Sequence, residues 1–171
     1  MQPYSRLMDK YDLITSNWDF LASAALPVRP EWFESGETVT SSKTSPQAAH
    51  QFVVTNLVDS KPHACVCPVF DAELLESFAE QASSDSQPDV VTPPGLAECG
   101  SEELDTLQAK VLSNPDVPLV GLFSMSESAA VCTYSTYGQV ISAHVTSHEG
   151  LLQAISAYCQ GLIDGAQTLL R

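Results

Sequence analysis

Thr146–Arg171 reads TSHEGLLQAISAYCQGLIDGAQTLLR, and the fold class follows from what this run needs packed against it. Thr146 and Glu149 are spaced as a capping box, in which the Thr hydroxyl takes an amide of the first turn and the Glu carboxylate reaches back. A helix is therefore predicted to start there. Leu151, Leu152, Ile155, Tyr158, Cys159, Leu162, Ala166, Leu169 and Leu170 recur at the three-and-four spacing that places them on one face, a core face. The opposite side is small rather than charged: Ala154, Ala157, Gly161, Gly165 and Thr168 lie there, and Asp164 is the sole charge between Gly150 and Leu170. Interior glycines each cost about 1 kcal/mol of helix propensity relative to Ala. That cost points to a helix contacted on both sides, with the Ala157/Gly161/Gly165 row meeting another helix or a second copy in a homodimer. The plainer reading is an exposed small-residue face.

Working outward, Ala129 to Thr136 and Gln139 to Val145 flank Tyr137-Gly138 and read as a hairpin leading into that helix. Val117 to Met125 is apolar on both alternating sets, the pattern of a central strand covered on both faces. Before it, Ser101 would cap a short helix through about Ser113, stopped by Asn114-Pro115. Residues 83–100, SSDSQPDVVTPPGLAECG, carry so much Pro, Ser and Gly that a long loop or arm is predicted. Asp71 is placed to cap a helix to about Ala82, with Leu74, Leu75 and Phe78 inward and Glu73 near the positive helix start.

Towards the N-terminus, HQFVVTNLV (His50 to Val58) and HACVCPVF (His63 to Phe70) are β-branched and apolar runs separated by Asp59-Ser60-Lys61-Pro62, which reads as a second hairpin. Ser5 to Leu26 forms an amphipathic helix with Leu7, Met8, Tyr11, Ile14, Trp18 and Leu21 on one stripe, ended by Pro27 and Pro30. Trp32 and Phe33 interrupt the polar segment that follows, either anchoring it to the body or starting an interface. The predicted order is α-β-β-α-(α)-β-β-β-α. It implies one α+β domain over residues 1–171, an antiparallel sheet with helices packed against it.

Composition narrows the partners. The chain has 171 residues, 44% of them apolar, with 21 acidic against 7 basic residues and a formal charge of −14. A chain of this size and apolar content buries a core without disulfides. Direct contact with nucleic acid or anionic membrane is disfavoured, because phosphate binding runs on clustered Lys and Arg. A basic or amphipathic protein partner is favoured instead. Asp71 to Asp105 holds ten acids and no Lys or Arg, and Glu98, Glu102, Glu103 and Asp105 form the candidate partner-binding cluster. A solvated, charged face is the ordinary meaning of such a run. No apolar run reaches the roughly 18 to 20 residues of a membrane span, and no basic start followed by an apolar core marks a signal peptide. A cytoplasmic location and reduced thiols are expected for the five cysteines.

Candidate chemistry is sparse. The segment His63-Ala64-Cys65-Val66-Cys67, with His144 and His148, offers soft ligands, but structural zinc takes C-x(2–4)-C pairs, so no metal and no cofactor are predicted. Cys132 and His144 form a nucleophile pair only in one hairpin register: with a two-residue Tyr137-Gly138 loop, His144 opposes Val131 and points away from Cys132. Phosphate-loop, dinucleotide, zinc-protease and nucleophile-elbow motifs are absent. The expected function is a non-enzymatic protein-binding domain of inhibitor, secretion-chaperone or adaptor type. A small Cys/His enzyme is the alternative, and an acidic DNA mimic a third. The element order resembles roadblock and profilin-like adaptor folds, and the small acidic chain resembles secretion chaperones and immunity proteins. Those resemblances rest on architecture and composition and carry no residue across.

Overall fold

The computed structural model describes residues 34–58, 60–82, 87–99 and 106–168, together with 7, 8, 11 and 15. The helix expected over Ser5 to Leu26 lies mostly outside these residues, as do Trp32 and Phe33, residues 83–86 of the expected arm, residues 101–105 and the last three residues.

Eight strands form one sheet: β1 (Glu37–Thr40), β2 (Pro62–Val66), β3 (Asp89–Thr92), β4 (Lys110–Ser113), β5 (Val120–Met125), β6 (Ala129–Tyr134), β7 (Val140–Thr146) and β8 (Gln167–Thr168). Their spatial order is β1-β7-β6-β5-β2-β3-β4-β8. The helices are α1 (Ala48–Leu57), α2 (Ala72–Glu80), α3 (Pro94–Cys99) and α4 (Glu149–Asp164). The fold is α+β, but the sheet is mixed, not antiparallel: β2, β3 and β4 run parallel, while β2 meets β5 antiparallel and β5, β6, β7 and β1 form an antiparallel meander.

Three corrections produce that change. HQFVVTNLV is a helix, because Ala49, Val53 and Leu57 repeat at helical spacing and bury together with His50, a period that outweighs the β-branched Val53-Val54-Thr55. With no strand before it, β2 is freed from the expected hairpin and sits centrally, Cys65 and Val66 having no exposed surface. The expected arm at 83–100 contains β3, whose Val90, Val91 and Thr92 are buried between β2 and β4, and it then continues into α3. Its β-branched trio prevails over the surrounding Pro and Ser once both strand edges are paired. Lys110–Ser113, expected as the end of a helix, is strand β4 in register with β3.

The sheet is covered on both sides. Leu151, Ile155, Cys159 and Leu162 of α4 pack on Ala64, Val66, Val91, Leu112, Leu122 and Val131. On the other face Ala49, Val53 and Leu57 of α1 and Leu74, Leu75 and Phe78 of α2 meet Cys65, Val90, Phe123, Ala130 and Cys132. Phe78 and Phe123 meet edge to face at 5.6 Å between ring centroids, a geometry favoured by the ring quadrupoles. β5 is the doubly covered central strand that its sequence predicts, buried along its whole length.

The final helix keeps its expected core face but not its cap or its end. Thr146 is the last residue of β7, and its hydroxyl accepts from the His148 amide at 3.0 Å and donates to the Ser35 carbonyl at 3.2 Å. His148 is the N-cap, its Nδ1 accepting from Gly150 N at 3.2 Å. Gly165 ends the helix, and Gln167–Thr168 then pairs with β4. Asn114, buried after β4, donates through Nδ2 to the Leu162 carbonyl at 2.8 Å and accepts from Asp116 N at 2.8 Å. It thereby satisfies one of the carbonyls that a helix end leaves open.

Candidate functional site

Two places gather chemistry-bearing side chains. The first lies at the carboxyl ends of β2 and β6, where α1 and α2 begin. Cys65 and Cys67, two apart on extended chain, point to one face with Sγ atoms 3.7 Å apart. Cys132 and Tyr134 come to the same face from β6, and the space for the tyrosine ring exists because β5 carries Gly121 there: a β-carbon at that position would lie 3.0 Å from Tyr134 Cε2. Asp71 caps α2 by accepting from Leu74 N at 3.1 Å. Its carboxylate also takes His50 Nε2 at 3.1 and 3.2 Å, with Glu73 at 3.8 Å. An ionised carboxylate can only accept, so Nε2 carries the proton. The pair therefore pins the start of α1 to the start of α2.

This end is sealed rather than reactive. Burial pushes the Cys65 thiol well up, with the neighbouring Cys67 thiol adding to it. Burial also pushes Cys132 up and raises the Tyr134 phenol well above its ordinary value. On the other face burial pushes Cys159 to about 12. A nucleophilic thiol needs a depressed pKa and access, and Cys65, Cys132 and Cys159 have neither. The hairpin register places His144 opposite Val131 and Cys132 opposite Ala143, so imidazole and thiol leave opposite faces of the sheet. The turn is longer than two residues, with Ser135 N bonded to the Gln139 carbonyl at 2.8 Å and Gly138 at a φ of 79°. A register shift between Thr133 and Tyr134 absorbs the extra residue. His63 lines a groove beside Glu149 and Leu152 of α4, away from the thiols. Among the described residues no cluster of three His, Cys, Asp or Glu could hold a metal ion.

The second place is the β1–β7 edge. His144, with no exposed surface, bonds Thr38 Oγ1 through Nδ1 at 2.8 Å, and Thr40 meets Ser142 at 3.3 Å between hydroxyls. These pairs follow the register Thr38↔His144 and Thr40↔Ser142. Where β1 begins and β7 ends, a concavity of about 630 Å³ opens, within the size range of small-molecule and side-chain pockets. Glu34, Glu37, Thr38, Asn56, Ser128 and Ser147 supply its polar lining, Phe52 and Val145 its apolar part, and among the described residues no Lys or Arg lines it. Such a lining favours a cationic, hydrogen-bond-donating group. Glu34 and Glu37 were not singled out by sequence, because their carboxylates meet the end of β7 only through pairing across more than a hundred residues.

Of the residues expected to bind a partner, Trp32, Phe33, Glu102, Glu103 and Asp105 lie outside the described residues, and Glu98 is placed in α3 by its backbone alone. Ala157 and Gly161 are exposed on the outer side of α4, and a β-carbon at Gly161 would find no atom within 4 Å. One at Gly165 would lie 3.5 Å from Asn114 Nδ2.

Together these features define a three-layer α+β fold around a mixed sheet, with sealed thiols and an acid-lined edge. No protein-family model and no curated protein sequence matches the chain. Solved structures share the fold. A phospholipase D family member, Nuc from Salmonella typhimurium, superposes with a TM-score of 0.61 at 8% identity, over 80% of this chain and 100% of that one. TrmBL2, an archaeal chromatin protein whose structure shows a novel mode of DNA binding, superposes with a TM-score of 0.55 at 8% identity. That match covers 95% of this chain, which spans 64% of the chromatin protein's length. At this identity the likeness is one of fold. Among the described residues no helix is long and apolar enough to cross a membrane.

Proposed function

We propose that the chain is a non-enzymatic protein-binding domain of inhibitor, chaperone or adaptor type, which takes a basic or amphipathic protein partner at its acidic surface. The observation that carries this reading is the concavity at the β1–β7 edge, lined by Glu34 and Glu37 and, among the described residues, by no Lys or Arg. A Lys or Arg side chain from the partner would place its donors among those carboxylates and hydroxyls, while Phe52 covers its aliphatic stem. The acid excess around it would speed encounter with a positive surface. Glu98, Glu102, Glu103 and Asp105 extend the same surface in this proposal. A Cys/His enzyme gains no support from thiols that are buried with raised pKa values.

A second reading is favoured by the fold shared with a DNA-binding chromatin protein. In it the chain is the regulatory or assembly part of a DNA-associated complex, with DNA contacted by a partner or another basic element. A surface at −14 repels phosphate.

Partners captured from a lysate of the source cells on the immobilised chain, then identified, separate the two readings. A basic protein whose capture falls about tenfold or more in Glu34→Gln/Glu37→Gln supports the first. DNA-binding proteins captured independently of both carboxylates support the second and overturn the first.

A further inference from the structure

The helical layers on the two faces of the sheet are not equally secured. α4 runs for 16 residues, with His148 capping its first turn and Asn114 bonded to a carbonyl of its last. α1 and α2 run for 10 and 9 residues, lengths at which a helix has little stability of its own. Gln47, at the start of α1, makes no side-chain capping bond, and no acidic residue in the first turn or basic residue in the last offsets the dipole of that helix.

The same layer lies over polar atoms that the fold leaves unpaired. His50 Nδ1, Thr92 Oγ1 and Tyr134 Oη are buried with no hydrogen-bond partner among the described residues. Pairing brings two of them into one row across the sheet. Gly121 lies opposite Cys132, and a β-carbon on Gly121 would fall 2.5 Å from Tyr134 Oη, so the phenol sits between those strands. Cys67 comes next, since Val66 opposes Leu122 and the Cys67 amide donates to the Val91 carbonyl at 2.9 Å. Thr92 follows on β3 and Ser113 on β4. Thr92 is two residues from Val90 and therefore shares the face that α1 and α2 cover. His50 is tied to Asp71 at the same end of the sheet.

Each of these atoms has given up water without a hydrogen bond in return, a cost that falls on the closed layer and is recovered on solvation. Under α4 the buried Asn114 side chain, by contrast, both donates and accepts. Short helices and stranded polar atoms thus coincide on one face, and segments that open locally come from the least stable part of a fold.

We infer that the α1–α2 layer opens from the sheet in the otherwise folded protein while α4 stays packed. The opening uncovers Cys67, Cys132, Thr92 and the Tyr134 phenol at the carboxyl ends of parallel strands, where open α/β sheets take their ligands. The layer is therefore a gate over a cleft lined by thiols and hydroxyls.

The cysteines report on the two faces, because Cys67 and Cys132 lie under α1 and α2 and Cys159 lies under α4. The full chain is treated with iodoacetamide at neutral pH, first without urea and then in urea below the unfolding transition. Each thiol's rate is read by peptide mass and divided by its rate in the urea-unfolded chain. Cys67 and Cys132 should react about tenfold or more faster than Cys159, with a shallower dependence on urea, since a local opening exposes less surface than global unfolding. Thr92→Val/Tyr134→Phe, which removes two stranded hydroxyls, should slow Cys67 and Cys132 by about tenfold or more. Leu151→Ala, which loosens α4, should speed Cys159 and leave Cys67 and Cys132 unchanged. Equal rates and urea slopes for the three thiols in the unaltered chain would overturn the proposal, as one cooperative unit would then expose them all. It would also fall if the hydroxyl-free variant reacted as fast as the unaltered chain, or if Leu151→Ala speeded all three thiols alike.

Discussion

At the scale of single residues the thiols set how stability depends on pH. Burial is the main cause raising Cys65, Cys132 and Cys159 above the ordinary value, with Cys159 at about 12. An unfolded thiol ionises near about 8.5. Between those values the unfolded chain has released a proton that the folded chain still holds, so the unfolded state binds fewer protons and stability falls as pH rises. The contribution is whole below about pH 8.5, and each thiol removes about 1.4 kcal/mol per pH unit above it. Urea unfolding from pH 8 to 11 should show this decline, and Cys159→Ala should have a shallower slope than the unaltered chain. An equal slope would mean that Cys159 ionises as readily folded as unfolded.

At the scale of elements, the starts of α1 and α2 are joined at Asp71, which caps α2 and holds His50 with the same carboxylate. Asp71→Ala removes both interactions and leaves the buried imidazole only the more distant Glu73 carboxylate, 3.8 Å away. The expected loss is about 2–4 kcal/mol, a cap of about 1 plus the cost of an unpaired buried polar group. Asp71→Asn retains a capping oxygen and should lose less than half as much. The two urea midpoints decide this: equal losses would show that the carboxylate charge, rather than the cap, holds these helices together.

At the scale of the whole molecule, 21 acids facing 7 basic residues push the folded chain apart. Among the described residues Lys110 reaches Asp89 at 3.8 Å, and the His50 ring meets the Asp71 and Glu73 carboxylates. Raising salt from about 0.1 M to about 1 M shortens the screening length from about 10 Å to 3 Å and damps the repulsion between spread charges more than it weakens these short contacts. The melting temperature in sodium chloride should therefore rise by several degrees. A flat or falling melting temperature would show that the carboxylates are spaced widely enough not to oppose folding.

What the sequence by itself determined was whatever a local period or a single cap controls. The buried stripe Leu151, Ile155, Cys159 and Leu162, the Asp71 cap with Leu74, Leu75 and Phe78 behind it, and the doubly covered Val120–Met125 strand are all of that kind, whereas the register that parts Cys132 from His144 was left open by the sequence and is set by the longer turn and the shift between Thr133 and Tyr134. The helical repeat of Ala49, Val53 and Leu57 was also legible, but only to a window beginning one residue before His50. The tertiary structure alone decided the parallel core of the sheet. Four residues such as Asp89–Thr92 have no stable local structure, and they become a strand because β2 and β4 supply hydrogen-bond partners on both edges and two layers of helices remove their side chains from water. The acid-lined concavity has the same origin: Glu37 and Val145 face one another only because the edge strand pairs with a strand more than a hundred residues away, a contact that no local spacing encodes.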